Sequence, residues 1–200
     1  MSLSNNELNK ISRFLIKLLR HNASEFNLVL DKDGFIECSK LLKLQRLNNI
    51  TINDIIKIVN ICDKQRFNLK KINDEYFIAA NQGHSIKIES KLLNPITLDN
   101  CHLYKNKNII HGTYTNIIEK IKKEGLNKMG RIHIHFSTKI DNTKVISGIR
   151  KSSNVYIYID LEKAIKDGFK FYESPNRVIL TPGNEYGILP SKYFKNIVYK

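Results

Sequence analysis

Apolar side chains recur at helical spacing near the start of the chain. The positions concerned are Leu8, Ile11, Phe14, Leu15, Leu18 and Leu19. A period of three to four residues predicts an amphipathic helix over residues 5–20. Ser4, followed three residues later by Glu7, has the spacing of a capping box. Arg20 and His21 therefore stand where this first helix ends.

The rest of residues 1–90 alternates between turn, helix and strand signals. The predicted elements are a turn at 31–34, a strand at 35–37, a helix capped by Ser39 and running to about Leu47, a helix capped by Thr51 or Asn53, and strands at 66–69 and 75–80. A turn near Asn73 and Asp74 joins the two strands. Three helices followed by a hairpin is the element order of a winged helix, a frequent nucleic-acid-binding module.

Short strands dominate the second half of the chain. Residues 91–100, which include Pro95, are predicted to be a linker. Beyond it, strands are predicted at 103–104, 109–110, 132–137, 154–160, 178–180 and 188–189, with helices at 116–124 and 161–167. The predicted fold class is α+β, with one domain at 1–90 and a second, mostly strand domain at 101–200.

The net charge of the chain indicates which class of partner it could bind. The chain of 200 residues has 33 Lys+Arg against 19 Asp+Glu, a net charge of +14. Residues 1–90 hold 14 basic and 10 acidic residues, a net of +4, which leaves +10 for residues 91–200. Such an excess favours a polyanion, nucleic acid above all. The alternative is a lysine-rich composition that only keeps the protein dissolved.

The number of cysteines and the hydropathy of the chain indicate its cellular compartment. Cys38, Cys62 and Cys101 are odd in number and widely spaced, which argues against a disulfide framework and for a reducing compartment. The N-terminus lacks the apolar stretch of a signal peptide, and no apolar run is long enough to span a bilayer. A cytoplasmic protein without a membrane partner is expected.

Residues 130–137 carry the densest candidate chemistry. Strand periodicity places Arg131, His133, His135 and Ser137 on one face and the intervening apolar residues on the other. His133 and His135 have the spacing of a metal pair, but no third ligand stands near them in sequence, so no metal is predicted. The row instead offers a cation and imidazoles to a ligand.

Other candidates have structural alternatives. Arg20 and His21 can simply be cations at a helix C-terminus, and Arg66 can pair with Asp63 on the surface. In residues 83–85, Gly83, His84 and Ser85 offer a backbone amide, an imidazole and a hydroxyl after the predicted hairpin. The chain has neither a GxGxxG nor a GxxxxGK[ST] motif, which excludes the usual dinucleotide and P-loop sites.

His111, Gly112 and Thr113 follow a short apolar strand, where glycine permits close approach of a ligand to the backbone. Together with His135 and Ser137, His111 and Thr113 imitate the paired His-x-Thr/Ser of two-histidine phosphoesterases, which cleave RNA cyclic phosphates by acid–base catalysis. Such a phosphoesterase remains the alternative enzyme hypothesis, and a non-catalytic winged-helix nucleic-acid binder is the alternative outside enzymes.

Read in order, these segments resemble the NAD-dependent RNA 2′-phosphotransferase family, which removes the 2′-phosphate left at a splice junction by some tRNA ligases. The segments are SRFL (12–15), LRH (19–21), LVLDKDGFI (28–36), DKQRF (63–67), ANQGHSI (80–86), HGT (111–113), GRIHIHFS (130–137), DGFKFYESPN (167–176) and VILT (178–181). The resemblance covers nearly the whole chain.

The resemblance implies an N-terminal winged-helix lobe followed by an ADP-ribosyltransferase-like, mostly strand lobe. It also implies an Arg-His-Arg-Arg quartet, which falls on Arg20, His21, Arg66 and Arg131. In the implied NAD site, the transferase triad falls on His111, His135 and Val178. The further implied NAD contacts are Gly112, Thr113, Ser137, Gly83, His84, Ser85 and Arg150.

The implied reaction uses RNA carrying a 2′-phosphate and NAD as co-substrate, without a metal, in an enzyme expected to be a monomer. The chain departs from the family pattern at Asn22-Ala23, which replaces a Lys-Pro-like pair, at Ile110, where Tyr is common, and at Arg177, where Gly is usual. None of these departures removes a quartet residue.

Overall fold

The computed structural model describes residues 3–86, 88–89, 91–139 and 149–200. The fold is α+β, as predicted. The chain divides into two compact units, Met1–Leu92 and Leu93–Lys200, and each has its own hydrophobic core. Within the described ranges, no helix is both long and apolar enough to cross a bilayer.

The first unit begins with helix α1, Asn5–Lys17. The predicted capping box is confirmed, because the Ser4 hydroxyl accepts from the Glu7 N–H while a Glu7 carboxylate oxygen accepts from the Ser4 N–H at 2.8 Å. The α-helix ends earlier than predicted. A π-helical turn, Leu18–Asn22, and a 3₁₀ turn, Ala23–Phe26, continue it.

Two further α-helices complete the helical part of this unit. Helix α2 is Cys38–Leu42, followed by a 3₁₀ turn at Gln45–Leu47, and helix α3 is Ile52–Asn60. The prediction that Ser39 caps the second helix is wrong, since strand β1, Ile36–Glu37, runs directly into α2. Thr51 caps α3 through a capping box with Asp54.

Strands β2, Phe67–Ile72, and β3, Glu75–Ala80, form an antiparallel hairpin. Asn73 and Asp74 form its two-residue turn with φ of 46° and 64°. Two consecutive left-handed residues match the right-handed twist of the strands. Strand β1 pairs with the other edge of β3, giving the order β1-β3-β2. The helices pack on this sheet through an aliphatic core that includes Leu15, Leu41 and Ile78.

The second unit is built mainly from short antiparallel strands. Its strands are β4 Asn94–Ile96, β5 Ile110–Thr113, β6 Leu126–Asn127, β7 Ile134–Phe136, β8 Val155–Ile159, β9 Phe171–Glu173, β10 Ile179–Thr181, β11 Ile188–Leu189 and β12 Phe194–Tyr199. Its α-helices are α4 Ile118–Glu124 and α5 Leu161–Lys166. The sheets have the orders β4-β9-β10-β7, β12-β8-β5 and β11-β6.

A bridge joins the two larger sheets. Ile110 in β5 and Ser137, just after β7, exchange backbone hydrogen bonds of 2.9 and 2.8 Å. Phe136 and Ile157 are fully buried in the core between these strands. The bridge therefore brings the end of β7 beside the start of β5, where the predicted histidine motifs lie.

Two predictions for this region are wrong. Residues 103–104 are not a strand but belong to a 3₁₀ turn, Cys101–Tyr104, which is supported by the Thr97 N–H donating to the Asn100 side chain at 2.9 Å. The segment predicted as linker contains β4, which pairs with β9. Pro95 is compatible with a strand there because β4 is at the edge of its sheet.

Candidate functional site

Arg20 and His21 lie in the π-helical turn that follows α1. Leu18 and Leu19, in the same turn, are buried in the core of the first unit. A π turn holds one more residue than an α turn and is a frequent feature of functional sites. Its buried leucines fix the backbone, while Arg20 is half-buried and His21 is exposed.

Segment 81–85 packs on this turn. The Ser85 N–H donates to the Arg20 carbonyl at 3.0 Å, and the Ser85 Oγ lies 2.9 Å from His21 Nδ1. Gly83 has a φ of +89°, and a Cβ there would lie 3.2 Å from Arg20 Cζ. Glycine at 83 thus permits both the left-handed backbone and the close approach to the guanidinium.

The same segment holds the backbone around Arg66. The Asn81 N–H donates to the Arg66 carbonyl at 2.9 Å. The Asn81 side-chain amide donates to the carbonyls of Gln65 and Phe67 at 2.6 and 3.1 Å. Asn81 is 5% exposed, so these bonds are shielded from water. Arg20, His21 and Arg66 are therefore all attached to one five-residue segment.

The Arg66 side chain lies beside a surface cavity. Its Nη1 donates to Cys62 Sγ at 3.5 Å. Arg66 lines a cavity of about 220 Å³ together with Arg13, Lys64 and Asp63. Three cations against one carboxylate make this cavity positively charged, which suits a phosphate ligand.

His84 has a different position from its neighbours Gly83 and Ser85. It is 4% exposed, and its Nε2 would lie 3.4 Å from a Cβ placed on Gly34. The imidazole therefore packs against the turn at residues 31–34, whose Asp31 carboxylate accepts from the Phe35 N–H at 2.8 Å.

In the second unit, His111 and His135 are brought together by a hydrogen bond. The His111 Nδ1–H donates to the His135 carbonyl at 3.0 Å. Burial lowers the pKa of His111 and outweighs the hydrogen bond to the His135 carbonyl, which raises it, while the nearby charges of Arg150 and Arg131 lower it further. His111 is therefore a neutral imidazole whose proton is on Nδ1, and its Nε2 is an acceptor.

Gly112 permits close packing beside His111. A Cβ there would lie 2.9 Å from Ser153 Oγ and 3.2 Å from the Ile149 Cα. Ser153 Oγ also accepts from the Arg150 N–H at 3.2 Å. The backbone that carries Arg150 thus lies directly over the glycine, while Thr113 is 3% exposed.

Sequence reasoning missed the polar groups around Arg150. Tyr114 Oη and Ser152 Oγ are 2.9 Å apart. Hydrogen bonds from Ser152 and from Arg150 lower the pKa of Tyr114. Tyr114 directly follows Thr113, so it extends the predicted motif by one residue. Its partner is 38 residues away in sequence, and no local pattern indicates that pairing.

Strand β7 is shorter than predicted. It begins at Ile134, so the alternation of faces holds for Ile134, His135 and Phe136 and does not extend to Arg131 or His133. His135 is 5% exposed and pairs with Leu180 across the sheet. Ser137 is also buried, and its hydroxyl donates to the Lys139 carbonyl at 2.7 Å.

His133 and Arg131 precede the strand in a bend. The His133 ring meets Tyr172 edge to face, with centroids 5.9 Å apart. Burial lowers the pKa of His133 to about 4, with a smaller effect from Lys128. Across the described residues, no three His, Cys, Asp or Glu side chains are grouped as they would be around a metal ion.

Val178 is fully buried at the end of a tight loop. Its N–H donates to Ser174 Oγ at 3.1 Å. Arg177 has a φ of +62°, the left-handed region that favours glycine. Its guanidinium pairs with Glu173 at 3.1 Å, and this carboxylate also accepts from Tyr104 Oη at 3.0 Å. An arginine with a left-handed backbone thus stands where the resemblance expects glycine, and its side chain is ion-paired with Glu173.

Comparison with known proteins adds independent information. A family model described as RNA 2′-phosphotransferase, Tpt1/KptA family, matches residues 6–183. A putative tRNA 2′-phosphotransferase of Schizosaccharomyces pombe is 42% identical, over 96% of this chain and 52% of the relative. The tRNA 2′-phosphotransferase 1 of Danio rerio is 38% identical, over 92% of this chain and 83% of the relative.

The tRNA 2′-phosphotransferase of Saccharomyces cerevisiae is 36% identical, over 96% of this chain and 84% of the relative. The chain thus spans about half the length of the S. pombe relative and more than four fifths of the other two. The family match runs through both units and includes all the candidate residues described above.

Proposed function

The chain belongs to the RNA 2′-phosphotransferase, Tpt1/KptA family, and from that premise we propose that it removes an internal 2′-phosphate from RNA by transferring the group to NAD. The products are RNA with a 2′-OH, nicotinamide and ADP-ribose 1″,2″-cyclic phosphate. The observation that carries the proposal is the attachment of Arg20, His21 and Arg66 to segment 81–85.

In this proposal the first unit is a winged-helix lobe that receives the RNA. Its support is the order of three α-helices and the β1-β3-β2 sheet. Arginine side chains suit a phosphate group because the guanidinium stays charged and can donate two parallel hydrogen bonds. Arg20 and Arg66 bind the 2′-phosphate in this scheme. The resemblance implies that Arg131, in the second unit, is also a quartet residue.

The second unit is an ADP-ribosyltransferase-like lobe that binds NAD in this proposal. The neutral His111 supports the assignment, since its Nε2 can accept from a ribose hydroxyl while Nδ1–H remains bonded to His135. Gly112, Thr113, His135, Ser137, Val178 and Arg150 are the other proposed NAD contacts in this unit. Gly83, His84 and Ser85 were implied as contacts by the resemblance alone.

The first chemical step is an attack by the RNA 2′-phosphate on C1″ of the nicotinamide ribose. A P–O–C1″ bond forms, the C1″–N bond breaks, and nicotinamide leaves with the bonding electron pair. A phosphate monoester has a second pKa of about 6, so it is mostly a dianion at neutral pH and needs no base. The enzyme has to align this anion with the oxocarbenium-like carbon.

In the second step, the 2″-hydroxyl of the ADP-ribose attacks the same phosphorus and releases its proton to solvent. The bond from phosphorus to the RNA 2′-oxygen breaks, and that oxygen takes up a proton to become the 2′-OH. Arginines stabilise the charge on the phosphoryl oxygens. His21 is the proposed general acid because an imidazole with a reference pKa near 6.5 can donate a proton at neutral pH.

The proposal is tested with a short RNA bearing one internal 2′-phosphate, incubated with the protein in EDTA with and without NAD. We expect conversion to the 2′-OH product only with NAD, together with release of nicotinamide. Binding without conversion would support a non-catalytic nucleic-acid binder. Cleavage of RNA cyclic phosphates without NAD would support the two-histidine phosphoesterase. Either of these results would overturn the proposal.

A further inference from the structure

We infer that Ser85 is a positioning residue for His21, and that its hydroxyl accepts a hydrogen bond from Nδ1–H so that Nε2 is the nitrogen that exchanges the catalytic proton. The inference rests on the proposed function, in which His21 is the general acid. Ser85 acts through the imidazole and does not itself touch the reacting atoms.

The geometry supports a fixed contact rather than a chance one. Ser85 makes two bonds to the same turn, one from its backbone N–H to the Arg20 carbonyl at 3.0 Å and one between its Oγ and His21 Nδ1 at 2.9 Å. The backbone bond holds the Ser85 Cα in register with the turn. In that register, the hydroxyl lies within hydrogen-bonding distance of Nδ1.

The approach of segment 81–85 depends on neighbouring residues as well. Because residue 83 is a glycine, the segment can lie close to Arg20. A Cβ at this position would be 3.2 Å from Arg20 Cζ. Asn81 fixes the other end by bonding three carbonyls, those of Gln65, Arg66 and Phe67. The segment is thus attached at both ends, and this attachment fixes the position of Ser85.

Positioning matters because His21 is exposed. An exposed imidazole samples several rotamers and both neutral tautomers unless a partner selects one. In the second step, Nε2–H gives its proton to the RNA 2′-oxygen as the P–O bond breaks. The neutral ring that remains still has Nδ1–H, which stays bonded to Ser85, and Nε2 recovers a proton from solvent.

The main test compares Ser85→Ala, Ser85→Thr and the matched control Ser24→Ala. Ser24 is an exposed serine in the 3₁₀ turn that follows the π turn, and it has no role in the proposed site. Single-turnover reactions measure how fast the RNA-2′-phospho-ADP-ribose intermediate forms and how fast it is consumed. The KM for NAD is measured in parallel.

We expect Ser85→Ala to slow consumption of the intermediate by about tenfold, the effect of losing one orienting hydrogen bond, and to make the intermediate accumulate. The KM for NAD should stay within about twofold. Ser85→Thr keeps the hydroxyl and should restore most of the rate, while Ser24→Ala should match the wild type. A raised KM for NAD with normal consumption of the intermediate would place Ser85 at the NAD instead and overturn the inference.

A second measurement needs neither turnover nor a stable variant. Nitrogen-15 NMR of the wild-type protein above the imidazole's titration range reports which ring nitrogen of His21 holds the proton. A protonated Nδ1 supports the inference, and a protonated Nε2 contradicts it. Because the free protein is observed, this result is independent of whether the enzyme uses NAD, so failure of the proposed function would be recognised separately.

Discussion

His133 shows how the burial of one residue couples stability to pH. Its folded-state pKa of about 4 lies below its ordinary value of 6.5, mainly because burial disfavours the charged ring. Well above pH 6.5 the ring is neutral in both states, so it contributes no pH dependence there. As pH falls from 6.5 towards 4, the unfolded chain binds a proton that the folded protein does not, and the folded state is destabilised.

We therefore expect the free energy of unfolding to decrease between pH 7 and pH 4.5 by more in the wild type than in His133→Phe. The difference should be on the order of 1–2 kcal/mol, allowing for the partial exposure of the ring. Phenylalanine keeps an aromatic ring against Tyr172 and cannot titrate. Urea unfolding followed by circular dichroism measures both proteins, and equal losses would contradict the assignment.

For single residues, the sequence identified the candidate site residues better than it identified their contacts. Arg20 and His21 were recognisable at the end of an apolar helical pattern, and His111 and His135 belonged to short motifs. The contacts of Ser85 with His21 and of Tyr114 with Ser152 span 64 and 38 residues. Such pairings depend on how distant segments fold together, and one sequence contains no local signal of them.

In strand β5, the absence of a side chain at Gly112 allows neighbouring residues to pack closely against the strand. Gly112 sits between His111 and Thr113, and a Cβ there would lie 2.9 Å from Ser153 Oγ, 3.0 Å from Ile149 Cγ2 and 3.2 Å from the Ile149 Cα. Side chains can rotate away, but the Ile149 backbone has to shift. The displaced backbone also carries Arg150, one of the proposed NAD contacts.

Gly112→Ala should therefore raise the KM for NAD several-fold, because the Ile149 backbone has to move by a few tenths of an ångström and a small misplacement of a binding residue weakens a site. The KM for RNA should change much less. Gly130→Ala is the matched control, because a Cβ at Gly130 would have no heavy atom within 4 Å. Steady-state kinetics with each substrate varied in turn tests this, and equal KM values for NAD in both variants would be inconsistent with it.

The elements that were predicted well are those with local determinants. Helices α1 and α3 have capping boxes, and the β2–β3 hairpin has its Asn73-Asp74 turn. Strands β4 and β12 lack such determinants. Each is defined by its pairing with a distant strand, β9 for β4 and β8 for β12. The π turn was also missed, because its signal is a single extra residue within a helical pattern.

At the scale of the whole molecule, the core residues of each hydrophobic cluster come from one unit alone. The charge is less evenly divided, with +4 on residues 1–90 and +10 on residues 91–200. Several of these lysines are already paired with carboxylates, as on α4, where Lys122 contacts Glu119 at 2.7 Å. Such pairs are worth little at the surface, and the net excess remains available to a polyanion.

The salt dependence of RNA binding distinguishes a polyanion-binding charge from one that only favours solubility. A protein that neutralises about five phosphates of single-stranded RNA loses roughly 100-fold in affinity when salt rises from about 50 to 200 mM, because the release of condensed counterions is less favourable into a more concentrated salt solution. We expect a loss of this order for an RNA without the 2′-phosphate, so that backbone contacts alone are measured by fluorescence anisotropy. NAD has only two phosphates, and its KM should change by less than about tenfold over the same range. An RNA affinity that hardly changes with salt would mean that the net charge of +14 serves mainly solubility, and the arginines of the site would then have to supply nearly all the recognition of the RNA.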